Sequence, residues 1–237
     1  MYNFGDSYND YKYLKEKGFS EKSSLKLVGD RYRLTRIGRN VLFRGVVEES
    51  TASVRIGKII TPEEAAGRPM GMDWYNVLIT VESYLRGALL FLADDGMLRD
   101  SSAVHGSFRS SPLTQTAISD IIEAVRMLAP SRVDAYLDSP IAHSALMAET
   151  LRERFASELG VPSEAGLSRS ADFPLKSYDG IVASSDSVIL DAAVKLIDLP
   201  RYVLRIRYSF TPLPLRSLDR LDPGGSGLLF ENESPSR

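Results

Sequence analysis

The chain has no cysteine, two histidines and a single tryptophan in 237 residues. Without cysteine there is no disulfide, no iron–sulfur ligation, no thiol nucleophile and no thiolate zinc site. His105 and His143 are too few for a histidine-rich metal cluster. Any metal would rest mainly on carboxylates, which suit hard cations such as Mg²⁺ or Mn²⁺. Long apolar runs are missing as well: the longest, such as "ALLFLA", fall far short of the roughly 20 residues that span a bilayer. The opening "MYNFGDSYND" lacks the charged start and apolar centre of a signal peptide. No membrane partner is expected, and the cytoplasm is the default location. Three nucleotide and hydrolase signatures are also absent: the phosphate loop G-x-x-x-x-G-K-S/T, a G-x-G-x-x-G following a strand, and the G-x-S-x-G elbow.

What is present is an ordinary globular composition, 43% hydrophobic and 25% charged. The length suits one sizeable domain, or one with a small appendage, and a core that needs no staples. Charge is spread unevenly. Tyr11 to Lys58 holds twelve basic residues and five acids, about +7, against −2 for the whole chain. A basic segment joined to an acidic remainder suggests a polyanion-binding arm, with Arg31, Arg33, Arg36, Arg39 and Arg44 as the nucleic-acid-binding candidates. A solvated helix surface would carry the same charges, and so would a segment that packs on the acidic part of its own chain.

Periodicity divides the chain into three. Residues 1–60 read as a basic segment of short helices, with Gly18 ending one, Ser20 opening the next and Thr35 capping a third. Residues 61–216 alternate strands and helices, which means βαβ units and a mostly parallel sheet flanked by helices, an α/β fold. The expected strands are "RPMGMD", "ALLFLADD", "RVDAYLD", "EAGLSRS", "GIVASSD" and "RYVLRIRY". Helices are expected over "NVLITVESYLRG", "LTQTAISDIIEAVRMLAP", "PIAHSALMAETLRERFASELG" and "SVILDAAVKLIDL". Residues 217–237 are turn-rich and polar and are expected to be disordered.

Aspartates stand at the carboxyl ends of four of these strands: Asp73, the doublet Asp94 and Asp95, Asp138, and Asp186. In a parallel sheet such ends share one edge, where α/β proteins place their sites. Any one of these acids has a plain alternative as a helix N-cap. Gathered together, carboxylates raise one another's pKa unless a cation holds them. Their natural use is to hold one or two divalent cations that activate water and neutralise a phosphate. Asp191, five residues after Asp186, is a further outer metal-ligand candidate. The loop "GMLRDSSAVHGSFR" adds Asp100, His105 and Arg109 as secondary candidates for contact with phosphate or substrate. Its alternative reading is a β-hairpin turning at Gly96. His143 is expected on the surface of the long helix after Asp138.

Several of these stretches resemble known families. "MDWYN" resembles the D-G-Y-N that ends the first strand of NYN-type members of the PIN-like nuclease superfamily, with Trp74 in place of the glycine. "IVASSDSVILDAA" is similar to their late strand-and-acid motif, and "YLDSP" stands where a middle strand carries another acid. The segment "KGFSEKSSLKLVGDRYRLTRIGRNVLFRGV", with "DDGMLRDSSAVHGSFR", resembles a mostly archaeal family known as domain of unknown function 434. The resemblance implies a PIN-like, Rossmannoid α/β domain that cleaves RNA phosphodiester bonds with Mg²⁺ or Mn²⁺. Asp73, Asp138 and Asp186 would then be the catalytic, metal-binding acids, and Asn76 would orient a ligand. Trp74 would narrow the approach to Asp73 or offer a stacking face to a base.

The function expected is therefore a metal-dependent ribonuclease. The alternative is a non-catalytic RNA-binding or adaptor protein on the same scaffold, with a phosphatase or nucleotide hydrolase as a weaker third. A homo-oligomer is compatible with the sequence.

Overall fold

Residues 3–102, 108–220 and 229 are described by the structure, a computed structural model. In chain order its elements are α1 (Phe4–Glu16), α2 (Glu21–Arg31), α3 (Arg36–Gly45), α4 (Glu49–Ile56), β1 (Pro69–Asp73), α5 (Trp74–Leu85), β2 (Leu90–Leu92), β3 (Leu98–Asp100), α6 (Pro112–Leu128) and β4 (Arg132–Asp138). Then follow α7 (Ser144–Glu158), β5 (Ser163–Ser168), α8 (Asp172–Leu175), β6 (Ile181–Ala183), α9 (Ser187–Ala192), β7 (Lys195–Leu196), α10 (Leu199–Tyr208) and β8 (Leu213–Pro214). They form two compact units that interleave along the chain: Met1–Ile56, Ala88–Ala103 and Pro212–Arg237 in one, Gly57–Gly87 and Val104–Thr211 in the other.

The second unit is the expected α/β fold. Its five strands are all parallel, in the order β5-β4-β1-β6-β7, with helices flanking the sheet. β1 lies in the middle because both of its faces are covered: Met70 and Met72 are fully buried on one, and on the other Gly71 lies against Leu175 and Tyr178. The chain steps outward from β1 through β4 to β5, then crosses to β6 and β7 on the other side. The order therefore reverses between β1 and β6, the topological switch point at which open α/β sheets form their crevice. α5 is enclosed along most of its length, from Trp74 to Ser83, which keeps the end of β1 rigid.

Close backbone approach at the entry to β6 requires a glycine. A β-carbon at Gly180 would stand 2.4 Å from the Pro69 carbonyl oxygen, and backbone cannot swing aside as a side chain does. Gly180→Ala is expected to cost about 1–3 kcal/mol by urea denaturation, the range for overpacking.

The other unit joins α1 to α4 to a small sheet of order β3-β2-β8. β2 and β3 form an antiparallel hairpin, and β8 runs parallel to β2. Phe4, Tyr8, Tyr11, Val28, Leu34, Val41, Leu42 and Phe91 make its core. Thr35 caps α3 as expected, accepting from the Gly38 amide at 3.1 Å.

Four expectations are corrected. "ALLFLADD" is not a strand of the parallel sheet; it supplies β2, and the turn at Gly96 (φ 79°) sends the chain back as β3, the alternative reading of that loop. "RYVLRIRY" is helical, because the Asp198 side chain accepts from the Arg201 amide and Pro200 sits in the first turn, burying Leu199, Val203 and Leu204 at helical spacing. "SVILDAAVKLIDL" stays helical only to Ala192 and then becomes β7. The tail expected at 217–237 is in part folded: a 3-10 turn spans Leu215–Arg220, and Leu218 and Leu229 are buried in the first unit's core. No helix among the described residues is long and apolar enough to cross a membrane.

Candidate active site

Three of the expected aspartates end or follow strands of one parallel sheet: Asp73 on β1, Asp138 on β4 and Asp186 just past β6. Asp73 stands at the switch point. Its carboxylate accepts from the Ser184 hydroxyl at 3.0 Å and, through the other oxygen, from the Asn76 amide at 3.4 Å. The second bond makes Asp73 the N-cap of α5, at a distance beyond the usual hydrogen-bond range. Burial, with the charges of Asp138 and Asp186 adding to it, pushes the Asp73 pKa up to about 7, against the opposing pull of Ser184 and Asn76. A carboxyl poised there exchanges its proton near neutral pH, the requirement for a general acid or base.

The residues around Asp73 hold it across the switch point. The Asn76 side-chain carbonyl accepts from both the amide (2.8 Å) and the hydroxyl (3.0 Å) of Ser185, so the start of α5 is tied to the end of β6. Asn76 therefore positions protein atoms. Asp138 accepts from the Ala171 amide at 2.8 Å, which fixes the loop after β5 to the same edge. Asp186 caps α9, accepting from the Val188 amide at 2.8 Å, so here the cap reading and the edge reading both hold. The Tyr75 hydroxyl is raised to about 12 by burial and by the charge of Asp138, which brings it into the same neighbourhood. Ser184, Ser185 and Tyr75 were missed as site residues. Serines beside an aspartate at a βα junction carry no local signal that separates a site residue from a cap, and Tyr75 lies inside the quoted motif without a role.

The remaining candidates fall elsewhere. Asp94, Asp95 and Asp100 belong to the small antiparallel hairpin of the other unit and are neutralised there. Asp94 accepts from the Tyr8 hydroxyl at 2.9 Å and pairs with Lys12 at 3.4 Å. Asp95, fully buried, bridges Arg55 at 2.9 Å and Arg99 at 2.7 Å. Asp100 pairs with Arg44 at 2.9 Å. The basic arm is correspondingly less free than its charge count suggests: Arg44 is spent on Asp100, and Arg39 pairs with Asp30 at 2.9 Å and donates to the Leu34 carbonyl. Arg31, Arg33 and Arg36 are exposed, with Arg31 at 3.9 Å from Asp10. Asp191 is exposed in the last turn of α9, and its carbonyl accepts from Lys58 at 2.8 Å. Arg109 is exposed beside Phe108, whose ring packs on Tyr75 at 5.3 Å. His105 lies outside the described residues. His143 precedes α7 in a left-handed conformation (φ 63°) and is not one turn inside the helix. Trp74 is fully buried, edge-on to Phe155, so it offers no stacking face and does not line the approach to Asp73.

The donors are all carboxylate and hydroxyl oxygens, the chemistry of a hard cation. Among the described residues, no group of three or more His, Cys, Asp or Glu side chains is arranged to hold a metal ion. Mg²⁺ does not need one: it keeps several waters and takes one or two carboxylates together with substrate phosphate. Asp73 with Asp138 or Asp186 fits that demand in donor type and in placement at one edge.

Two family models match the chain. Residues 4–58 match the family described as "Protein of unknown function (DUF434)", the family that the N-terminal motifs resemble. The uncharacterized protein MJ0935 of Methanocaldococcus jannaschii is 28% identical over 181 residues, covering 76% of this chain and 86% of that protein. No solved structure matches the chain. Residues 62–202, more than half of the chain, match the family described as "Domain of unknown function (DUF5616)", and the chain belongs to that family.

Proposed function

We propose that the chain is a metal-dependent ribonuclease with a PIN-like catalytic unit, hydrolysing RNA phosphodiester bonds at the carboxyl edge of its parallel sheet. The observation that carries the proposal is Asp73: a buried carboxyl at the switch point, raised to about 7 by desolvation and by two further aspartates. A divalent cation bound in that field would favour the ionised carboxylates and offset their mutual repulsion. Mg²⁺ or Mn²⁺, when bound, supplies charge neutralisation for the phosphate and a more acidic water. Asp73 and Asp186 then hold the site and orient that water, Asn76 and Ser184 keep Asp73 in place, and Asp138 completes the negative field. Exposed Arg109 would meet a phosphate oxygen, and exposed Arg31, Arg33 and Arg36 would contact the RNA backbone.

The test is cleavage of a single-stranded RNA by the purified full chain with Mn²⁺, with Mg²⁺ and with chelator, alongside DNA and free nucleotides. Asp186→Asn is expected to lower the Mn²⁺-dependent rate by about a hundredfold or more. Equal rates in the variant and the wild type would remove the site assignment. One observation favours the second reading, non-catalytic RNA binding on this scaffold: no three donors converge among the described residues. RNA binding that persists with no Mn²⁺-induced thermal shift would select it.

A further inference from the structure

We infer that Phe173 is the substrate-reading residue of this site, a ring on which an unpaired base of single-stranded RNA stacks next to the carboxylate edge. The inference rests on the nuclease reading for what lies beside the ring, and on the ring's own surroundings for what it binds.

Phe173 is 84% exposed, the most exposed of the large hydrophobic side chains among the described residues. Exposure of one ring is by itself ordinary for a protein surface; what marks this one is its place beside the carboxylate edge, with apolar area still available to a ligand. It is not a loose end. The loop that carries it is fixed to the site by the Ala171 amide on Asp138 at 2.8 Å, and it is braced by the Ser168 hydroxyl on the Ser170 carbonyl at 2.6 Å and the Phe173 amide on the same carbonyl at 3.3 Å. Leu175, two residues on, is fully buried, and it lies so close to β1 that a β-carbon at Gly71 would stand 2.8 Å from it. The turn of α8 thus anchors through Leu175 and turns Phe173 outward. Pro174 between them stiffens the chain. The Cα of Phe173 is at most about 7 Å from that of Ala171, which is bonded to Asp138.

The neighbours of the ring select the occupant. Arg169 and Lys176 are both exposed and flank it in the same eight-residue stretch, with one acid, the half-buried Asp172, between them. An exposed aromatic between cations, next to an edge that would hold a scissile phosphate, matches the way single strands are gripped: the base on the ring, the backbone on the cations. A duplex keeps its bases stacked on one another and cannot use the ring.

The test measures binding of a labelled single-stranded RNA in chelator, by anisotropy, for the wild type, Phe173→Ala and Phe173→Trp. Phe173→Ala is expected to weaken binding by about five- to 150-fold, the range for loss of one base–aromatic stack. Phe173→Trp should stay close to wild type, and duplex RNA should bind all three equally. Unchanged single-strand affinity in Phe173→Ala overturns the inference, as does a wild-type dimer that this variant converts to monomer, which would assign the ring to a second copy of the chain. Mn²⁺-dependent cleavage, followed on the same proteins, separates the two claims. Asp186-dependent cleavage with an indifferent Phe173 sinks the stacking and leaves the nuclease. Phe173-dependent binding without any cleavage keeps the stacking and sinks the nuclease.

Discussion

Asp73→Asn is expected to abolish metal-dependent RNA cleavage and, in the absence of metal at pH 8, to make the protein more stable. Both effects come from the same buried carboxyl. Its pKa is about 7 when folded, against 3.8 in the unfolded chain. Between those values the folded state holds a proton that the unfolded state has released, so stability falls as pH rises from about 4 to 7. Below pH 4 both states are protonated and nothing is lost. Well above pH 7 the wild type carries the whole penalty, on the order of 4 kcal/mol for a shift of this size. An asparagine carries none of it, and its amide can still meet Ser184 and the Asn76 backbone. Urea denaturation at pH 5 and at pH 8, without metal, should show the gain of Asp73→Asn growing with pH. Added Mn²⁺ should stabilise the wild type and leave the variant unmoved. A gain that does not grow with pH would mean that Asp73 is an ordinary helix cap with no raised pKa, because asparagine caps a helix as well as aspartate does.

Asp95→Ala should act in the opposite way, as a pure loss of stability. Asp95 is fully buried and holds two guanidinium groups, Arg55 and Arg99, that are themselves about 95% buried. Removing the carboxylate from a buried ion network takes a counter-charge from both guanidinium groups, and breaking such a network typically costs about 3–5 kcal/mol. Urea denaturation should show that loss, while Mn²⁺ affinity of the folded variant stays at the wild-type value. A change in Mn²⁺ affinity would return Asp95 to the list of site residues.

The contrast between these two aspartates marks how far the sequence could be read. Locally they look alike: an apolar run that ends in an acid. Asp73 follows a strand buried on both faces and opens a long helix, so the βα unit was legible, and with it Asp138 and Asp186. Asp94 and Asp95 follow a run just as apolar, but Gly96 turns the chain back within a few residues, and β2 pairs with β3 in a different sheet. Sheet membership is set by long-range pairing, which a local pattern does not contain. The same limit explains "RYVLRIRY", whose alternation suggests a strand until Asp198 and Pro200 are seen to start a helix. The basic arm was legible as charge but not as geometry: Arg39 and Arg44 are held by Asp30 and Asp100, and Asp100 is 56 residues beyond Arg44. Trp74 was the reverse error. Its place in the motif suggested a surface role, whereas the first turn of an enclosed helix carries it into the core.

The central claim is that Asp73 and at least one other aspartate of this edge share a divalent cation. Anomalous diffraction from crystals soaked in Mn²⁺ measures it directly. A manganese peak bonded to the Asp73 carboxylate and to Asp138 or Asp186 is the expected result. Saturating Mn²⁺ with no peak at Asp73, or with its peaks only elsewhere on the molecule, would contradict it.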